Sequence, residues 1–472
     1  MVAAGAPRPR RRLHLGLLTT LPPSPTGPAE FVAGALTELA RACRITCFVD
    51  RPELVDAWLR ERFRVRPLSE RDDPSIDLLV YHVANNLHQG GIYDAAMEGP
   101  PGLLEIHDGS VHHALATRML ASDNVEDYRE LLARTHGSRG DQLARLRLGG
   151  QPAGVELFMF DSLKDLLDRH LGAVVHNRYA AELIALRAPE VPTWIVPLSA
   201  PVPAPAVPKE SLGLPSGGLV IAHFGFVTRP KRPFLLLGAF ARLRAAHPDV
   251  HLLFAGEDDT AGALDAEMAR LCLTGSVTVS GYLDTERMDA LISSVDIVVS
   301  LRFPHVGETS ATLGAALAAG RPVVVQETGS WAELPQAAVL AVSTSGDEEA
   351  ALADALAGLV VDPARRASLG NAARAYATGS LGAERYAAGI ADAATAVSLG
   401  SRVPPSEQLA ERRWAVSQFL AGCGRLTTAT LLTEGWPGRR DLLGEHLSAL
   451  RRIPPGRAGA RLLDLGSAPA RQ

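Results

Sequence analysis

The sequence predicts an α/β protein with two lobes of parallel β-sheet, on three observations. Short, non-alternating apolar runs recur, such as Leu219-Val220-Ile221-Ala222 and Val323-Val324-Val325, the pattern of strands covered on both faces. These runs lead into turns rich in Gly or polar residues and then into stretches of helical composition, so helices join the strands and the strands run parallel. At 472 residues the chain is too long for one core and fits two domains of roughly 200 residues each plus a tail.

Composition narrows the function classes. Hydrophobic residues make up 47% and charged residues 21% of the chain, the balance of a soluble globular protein, while aromatic residues are few at 5%. A formal net charge of −5 argues against binding a nucleic-acid backbone as the main work, although it leaves room for a local basic patch. Cys43, Cys47, Cys272 and Cys423 are scattered, with no Cys-x-x-Cys and no His at ligand spacing. That predicts neither a disulfide framework nor a zinc site, and points to a reducing cytoplasm.

Residues 1–12 read as a disordered basic tail. The apolar run Leu13 to Leu21 imitates a secretory signal, but it contains His14, Thr19 and Thr20 and ends in Pro-Pro, so it is assigned to a first strand. No apolar run reaches the eighteen or so residues of a membrane span, which leaves peripheral membrane contact through Arg-rich surfaces open.

The first lobe is assigned to residues 13–200. Leu13 to Leu18 is its first strand, and a Pro/Gly-rich loop precedes a helix near Glu30 to Cys43. In that loop Gly27 lets backbone approach a ligand at the strand's carboxyl end, or serves simply as a turn residue. Ile45 to Val49 and Ile76 to Tyr81 are the next strands, the latter ending in His82, Asn85, Asn86 and His88. A short strand then ends in His107-Asp108, followed by His112 and His113, which read as helix-surface residues. Asp123 to Arg147 is charged and helical in composition. Val174 to Asn177 and Trp194 to Leu198 complete the sheet.

The Pro/Ala segment at 201–212 has few packing groups and reads as a stiff linker. The second lobe, 213–398, restarts the pattern. Leu219 to Gly225 is a strand and turn, and the turn before the Phe234 to Ala246 helix carries Arg229, Lys231 and Arg232. His251 to Asp258, Val277 to Tyr282 and Asp296 to Ser300 are further strands with their turns. Ala-rich helices fill about 347–398.

The densest signal is HVGETSATLGAALAAG, His305 to Gly320. A turn at Gly307 leads through Glu308, Thr309 and Ser310 into an Ala/Leu-rich helix that Gly320 stops. Thr309 or Ser310 can cap that helix, and its unpaired first-turn N–H groups, with the positive end of the dipole, suit a phosphate. The unit by itself is equally that of a plain crossover helix with no ligand. Together with Leu317 to Val324, LAAGRPVV, it resembles the C-terminal domain of the retaining family-4-type glycosyltransferases, which use the two-Rossmann-domain architecture called GT-B. The Gly-Glu-Thr-Ser at Gly307 to Ser310 is similar to bacterial members. The Gly256 turn, the Gly281-Tyr282 turn and Glu333-Leu334-Pro335 resemble further parts of the family, and so does the strand ending in His107-Asp108. The resemblance covers about residues 13–398 and is strongest over 217–340.

The resemblance implies two Rossmann-like lobes whose parallel sheets face a central cleft, and transfer of a sugar from a nucleoside-diphosphate donor of UDP or GDP type to a carbohydrate or secondary-metabolite acceptor. It places Lys231 on the donor diphosphate, Glu308 on hydroxyls of the donor sugar, and His107 and Asp108 near the transferred sugar or the acceptor. Gly27, Gly225, Gly256, Tyr282, Gly307, Thr309 and Ser310 line the donor. The sequence departs from the family at two points. Its second glutamate position falls at Ala315, and the usual arginine after the Gly is Phe226, so Arg229 is expected to supply that charge. No Asp-x-Asp sits at a strand end, so transfer is expected without a metal or other cofactor. Two alternatives stay open: a catalytically silent sugar-nucleotide-binding subunit, and an epimerase or phosphorolytic enzyme of the same architecture.

Residues 399–472 differ in character. Glu407 to Ala421 reads as a helix, and Ala460 to Ser467 resembles the opening strand and Gly loop of a methyltransferase that binds S-adenosylmethionine. The chain ends six residues after Gly466, so the segment is taken as a truncated or vestigial piece of a fused or partner methyltransferase.

Overall fold

The computed structural model describes residues 12–122, 124–150 and 156–400. The basic tail before residue 12 and the methyltransferase-like and helical segments beyond 400 lie outside the described residues.

The first lobe is a seven-stranded sheet. Its strands are β1 (His14–Leu18), β2 (Arg44–Val49), β3 (Arg64–Pro67), β4 (Leu78–Val83), β5 (Leu103–Ile106), β6 (Gly172–Val175) and β7 (Thr193–Ile195). They lie in the order β3-β2-β1-β4-β5-β6-β7, and each pairing is parallel. The second lobe is a six-stranded parallel sheet of β8 (Val220–Phe224), β9 (His251–Ala255), β10 (Val277–Val279), β11 (Ile297–Ser300), β12 (Val323–Gln326) and β13 (Leu340–Val342), in the order β10-β9-β8-β11-β12-β13. Helices cover both faces of each sheet, which is why Val323, Val324 and Val325 are all fully buried in succession.

In both sheets the strand order reverses once, between β1 and β4 in the first lobe and between β8 and β11 in the second. Open α/β sheets bind ligands outside the carboxyl ends of the strands at such a switch point. The turns there are Thr19 to Thr26 and Ala84 to Gln89 in one lobe, and Gly225 to Arg232 and Arg302 to Ser310 in the other.

Several elements differ from the sequence reading, each for a physical reason. β3 escaped notice because Arg-Val-Arg-Pro has two exposed or half-buried arginines and a closing proline, the composition of a protected edge strand. β4 runs two residues later than expected, so His82 lies inside the strand and is buried. His112 starts a helix but is fully buried, its Nε2 2.8 Å from the Tyr128 hydroxyl. The charged Val125–Leu148 helix breaks at Gly137, whose φ of 67° and ψ of −150° are not helical.

The last described helix, Ala383–Ser398, belongs spatially to the first lobe. Tyr386, Ala387, Ile390, Ala393 and Ala394 pack into the same core as Leu15, Leu36 and Leu39. The chain therefore crosses between lobes twice, and the crossings meet where Ala200 N donates to Leu381 O at 2.8 Å.

Candidate active site

Two loops of the second lobe build the charged part of the site. After β8 the backbone turns at Gly225 with φ of 84°, and a Cβ there would lie 2.6 Å from Lys231 Nζ. The glycine thus leaves space for the ammonium to fold back over the strand end, where it donates to Phe224 O at 3.3 Å. Gly256 is equally constrained, since a Cβ would meet Gly225 O at 2.4 Å, so the turns after β8 and β9 touch backbone to backbone. Burial, helped by the nearby Arg302 guanidinium, pulls the Lys231 amine down to about 7.

Arg302 follows β11, across the switch point from Lys231. Its Nη1 donates to Glu308 Oε1 at 2.8 Å. Glu308 Oε2 accepts from Val306 N at 2.7 Å and lies 3.1 Å from His305 Nδ1. Glu308 is only 6% exposed, and burial alone would raise its carboxyl. His305 and Arg302 outweigh that and hold it well below the usual carboxylate range. His305 is itself fixed, with Nε2 3.1 Å from Ser330 Oγ and its ring edge-on to Trp331. A buried carboxylate therefore stands between the Arg302 guanidinium and the His305 imidazole, with the Ala311–Ala318 helix beginning beside it. Ser310 caps that helix by accepting from Leu313 N at 3.2 Å.

The first lobe closes directly over this loop. Asn177 Nδ2 donates to Gly307 O at 2.8 Å and to Thr309 Oγ1 at 3.0 Å, and Tyr179 OH donates to His305 O at 3.0 Å. Glu333 of the second lobe accepts from the backbone N–H groups of Arg178 at 2.9 Å and Tyr179 at 2.6 Å, capping the start of the Arg178–Arg187 helix. The approach is tight. A Cβ on Gly109 would meet Val306 O at 1.9 Å, and one on Gly307, whose φ is 90°, would meet Ala180 Cβ at 2.8 Å. Asp108 sits half-buried at this junction and accepts from Asn85 N at 2.8 Å. Burial raises its carboxyl to about 6, and the charge of Glu308 adds to the effect.

The structure thus joins Gly225, Lys231, Gly256, Glu308, Gly307, Thr309, Ser310 and Asp108 through contacts around one junction. Three predicted residues stand apart. Arg229 is exposed, with its guanidinium 5.7 Å above the Phe234 ring. Tyr282 is 65% exposed just past β10. Gly27 begins the Gly27–Ala42 helix with open space around it, although that helix reaches the second lobe where Thr285 Oγ1 donates to Glu30 Oε1 at 3.0 Å. His107 is buried, and both its ring nitrogens face other imidazoles: Nδ1 is 3.0 Å from His176 Nε2, and Nε2 is 3.4 Å from His82 Nδ1. Neither nitrogen is left to serve a substrate as a base. His82, Glu105 and His107 offer ligand atoms within 4.8 Å of one another, the trio among the described residues that is spaced for a metal ion.

Sequence reasoning did not name Arg302 and gave His305, Asn177 and Glu333 no individual role. Arg302 had a local signal, a basic residue directly after an apolar strand run. Asn177 and Glu333 act only across the lobes, and nothing local marks such a partnership.

Residues 208–376 match the family described as glycosyl transferases group 1. That match spans most of the second lobe, from the linker to the Pro363–Ser380 helix. Over 185 residues the chain is 29% identical to D-inositol 3-phosphate glycosyltransferase of Arthrobacter sp. (strain FB24), covering 38% of this chain and 43% of that protein. The protein of the same description from Salinispora arenicola (strain CNS-205) is 29% identical over 184 residues, 37% of this chain and 40% of its own length. The chain therefore aligns with less than half the length of these relatives. Among solved structures, Anabaena HepE in complex with UDP-glucose is similar with a TM-score of 0.58 at 16% identity, over 82% of this chain and 100% of that one. Sucrose-phosphate synthase from Thermosynechococcus elongatus follows at 0.57 and 16%, over 81% and 98%. These likenesses establish the fold, two Rossmann-like lobes in the GT-B arrangement. Among the described residues, no helix is long and apolar enough to cross a membrane.

Proposed function

We propose that the protein is a glycosyltransferase that moves a sugar from a nucleoside-diphosphate donor of UDP or GDP type to a hydroxyl of a carbohydrate or secondary-metabolite acceptor, with retention of anomeric configuration. The observation that carries the reading is the pair Lys231 and Arg302, brought near each other from either side of the second lobe's switch point, with Glu308 as the carboxylate of Arg302. Holding two cations this close in a partly dry site is unfavourable until an anion arrives. A diphosphate supplies that anion.

In the transfer, the bond from the sugar's anomeric carbon to the diphosphate oxygen breaks and the acceptor oxygen bonds to that carbon. The acceptor's proton leaves, and negative charge grows on the departing diphosphate. Lys231, Arg302 and the amides beginning the Ala311–Ala318 helix stabilise that charge, and groups of this kind are worth about 2.7–4 kcal/mol each. A bound diphosphate favours the protonated Lys231 amine, and these side chains then supply the positive charge, so no metal is invoked. Glu308 is already spent on Arg302 and His305 and keeps the loop shaped for donor hydroxyls. Asp108, with its raised carboxyl, faces the sugar and acceptor. The lobe contacts made by Asn177, Tyr179 and Glu333 exclude water from the junction. The division into lobes of 13–200 and 213–398 joined by 201–212 goes with this reading, the final helix serving the first lobe.

A second reading, a sugar-nucleotide-binding subunit without transfer, has one observation in its favour. Ala315, at the place of the second acid, is buried in the core of the second lobe and offers nothing to a ribose. A panel of UDP-, GDP- and dTDP-sugars separates the two readings by thermal shift and by nucleotide release with and without acceptors. Transfer predicts a donor that raises Tm and is consumed faster when acceptor is present. If no donor shifts Tm, and Lys231→Ala alters no ligand affinity, both readings fall.

A further inference from the structure

Behind His107 lies a second buried polar cluster that the proposed chemistry does not use. Glu105, on β5 among Leu103, Leu104 and Ile106, is 0% exposed. The Tyr386 hydroxyl, from the Ala383–Ser398 helix, is 2.9 Å from each of its oxygens. His82 Nε2 lies 3.5 Å, His176 Nε2 3.7 Å and His107 Nε2 4.0 Å from the carboxyl group. Phe31 packs edge-on to His107, His176 and Tyr386 and closes the side. These are the titratable groups that β4, β5, the turn after β6 and the last helix present to Glu105, and none is a Lys or Arg.

The contacts fix the tautomers one after another. His176 Nδ1 is 3.0 Å from Val196 O, which only accepts, so Nδ1 carries the proton and Nε2 keeps a lone pair. His107 Nδ1, 3.0 Å from that lone pair, must donate, which leaves His107 Nε2 as an acceptor. His82 Nδ1, 3.4 Å away, donates to it. His82 Nε2 is then a bare lone pair, buried without a hydrogen-bond partner and facing Glu105. An ionised carboxylate would set oxygen lone pairs against it, whereas a carboxylic acid would donate to His82 and accept from Tyr386.

We propose that Glu105 is a neutral carboxylic acid that ends this imidazole chain and, with Tyr386, acts as a positioning residue for His107. Burial pushes the Glu105 carboxyl up to about 8 and lowers the three histidines, which keeps the whole chain uncharged. Its two ends are informative. Val196 leads into the first crossing between the lobes and Tyr386 lies on the helix after the second, so the chain ties His107 to both segments that join them. His107 contributes to the junction by where it is held and not as a base. This consequence for activity rests on the glycosyl-transfer reading, but the protonation state does not.

The test compares full-length wild type, Glu105→Gln, Glu105→Ala and Tyr386→Phe. Glutamine can donate to His82 and accept from Tyr386, so it mimics the neutral acid and not the carboxylate. Histidine tautomers are read by long-range nitrogen-15 correlation spectra, stability by melts from pH 5 to 9, bound metal by elemental analysis, and kcat and KM where a donor turns over. A raised native pKa means the unfolded chain ionises first, so Glu105's own contribution, read as the wild-type Tm minus the Glu105→Gln Tm, should fall as pH rises from about 4.5 to about 8 and then level off. In Glu105→Gln the His107 Nδ1–H tautomer should persist and kcat should stay within about three-fold. Glu105→Ala should scramble the tautomers and lower kcat about ten-fold with KM little changed, and Tyr386→Phe should do so to a smaller degree if the alanine variant does not fold. A Glu105→Gln protein that melts well below wild type at pH 7, or loses a stoichiometric metal, would overturn the neutral acid. Intact tautomers in Glu105→Gln with unchanged kcat in both Glu105→Ala and Tyr386→Phe would remove only the positioning role. Turnover by no variant, wild type included, would count against the function and leave the tautomer result standing.

Discussion

Two buried carboxyl groups, one in each lobe, are handled in opposite ways. Glu308, in the second lobe, is met by Arg302, His305 and the Val306 amide, and is held ionised well below the usual range. Glu105, in the first lobe, is met by imidazoles and a phenol, and is pushed up to about 8. Desolvation is the largest influence on both, so depth does not separate them. Their partners do. The second lobe keeps charge in its interior, which costs stability and serves a charged ligand. The first lobe removes charge from its interior, which serves fixed geometry. A lobe that holds a diphosphate and a lobe that holds an uncharged acceptor would differ in this way.

Exchanging each acid for its amide breaks or confirms that contrast most strongly. Glu308→Gln leaves Arg302 and His305 buried without their carboxylate, and removing one partner of such a pair costs about 3–5 kcal/mol. Because the native pKa of Glu308 is depressed, its contribution is present above the unfolded value of 4.5 and is lost as pH falls below it. Wild-type and Glu308→Gln melts should therefore lie far apart at pH 7 and approach each other in acid. A Glu308→Gln protein as stable at pH 7 as Glu105→Gln would end the distinction between the two sites.

Lys231→Met is next. Removing one fixed donor to the leaving diphosphate should lower kcat/KM about 10²–10³-fold, equivalent to about 2.7–4 kcal/mol. Stability should move the other way. The Lys231 amine is depressed from 10.5 to about 7, so over that span the unfolded chain binds the proton and the native state does not. Lys231's contribution to wild-type stability should rise with pH across this window, so Lys231→Met should melt higher than wild type at pH 7 and the gap should close as pH approaches 10.5. Loss of both activity and stability would show that Lys231 props the fold and does not await a ligand.

The contrast also marks how much the sequence disclosed. The alternation of apolar runs with helical stretches was legible because buried parallel strands impose it, and so were the Gly225 and Gly307 turns. Lys231 and Glu308 could be picked out because they lie in turns after strands whose local chemistry already suits an anion. What stayed hidden depends on chain segments far apart. Glu105 looks like an ordinary acid in Leu-Leu-Glu-Ile until Tyr386 arrives from 281 positions away. Asn177 gains meaning only from Gly307 and Thr309, and the return of the last helix to the first lobe leaves no trace in its Ala-rich pattern. Arg229 was the natural sequence choice for a second cation because it shares a turn with Lys231. The structure instead brings Arg302 from across the switch point.

Closure can be separated from charge with Glu333→Ala. Glu333 accepts from two backbone amides at the start of the Arg178–Arg187 helix. Losing these bonds should cost about 1–2 kcal/mol, a factor of about 5–30 in an equilibrium. If lobe closure accompanies donor binding, that factor appears as weaker donor affinity, with the pH slopes assigned to Lys231 and Glu105 unchanged.

The smallest effect should come from Arg229→Ala, which makes it the sharpest control. The exposed guanidinium rests over Phe234 at 5.7 Å, a contact worth about 0.5–1 kcal/mol at such a site. Its loss should lower Tm slightly and leave donor affinity within about two-fold, because a solvent-screened charge adds little to a diphosphate already met by Lys231 and Arg302. Arg302→Gln, measured beside it, should cost far more, since it removes a cation from the junction and frees Glu308 as well. Should Arg229→Ala instead reduce donor affinity as much as Lys231→Met, the turn after β8 would supply both cations on its own. Arg302 would then be only the counterion that keeps Glu308 ionised, and the second lobe's charge would concern loop shape, as the first lobe's neutrality does.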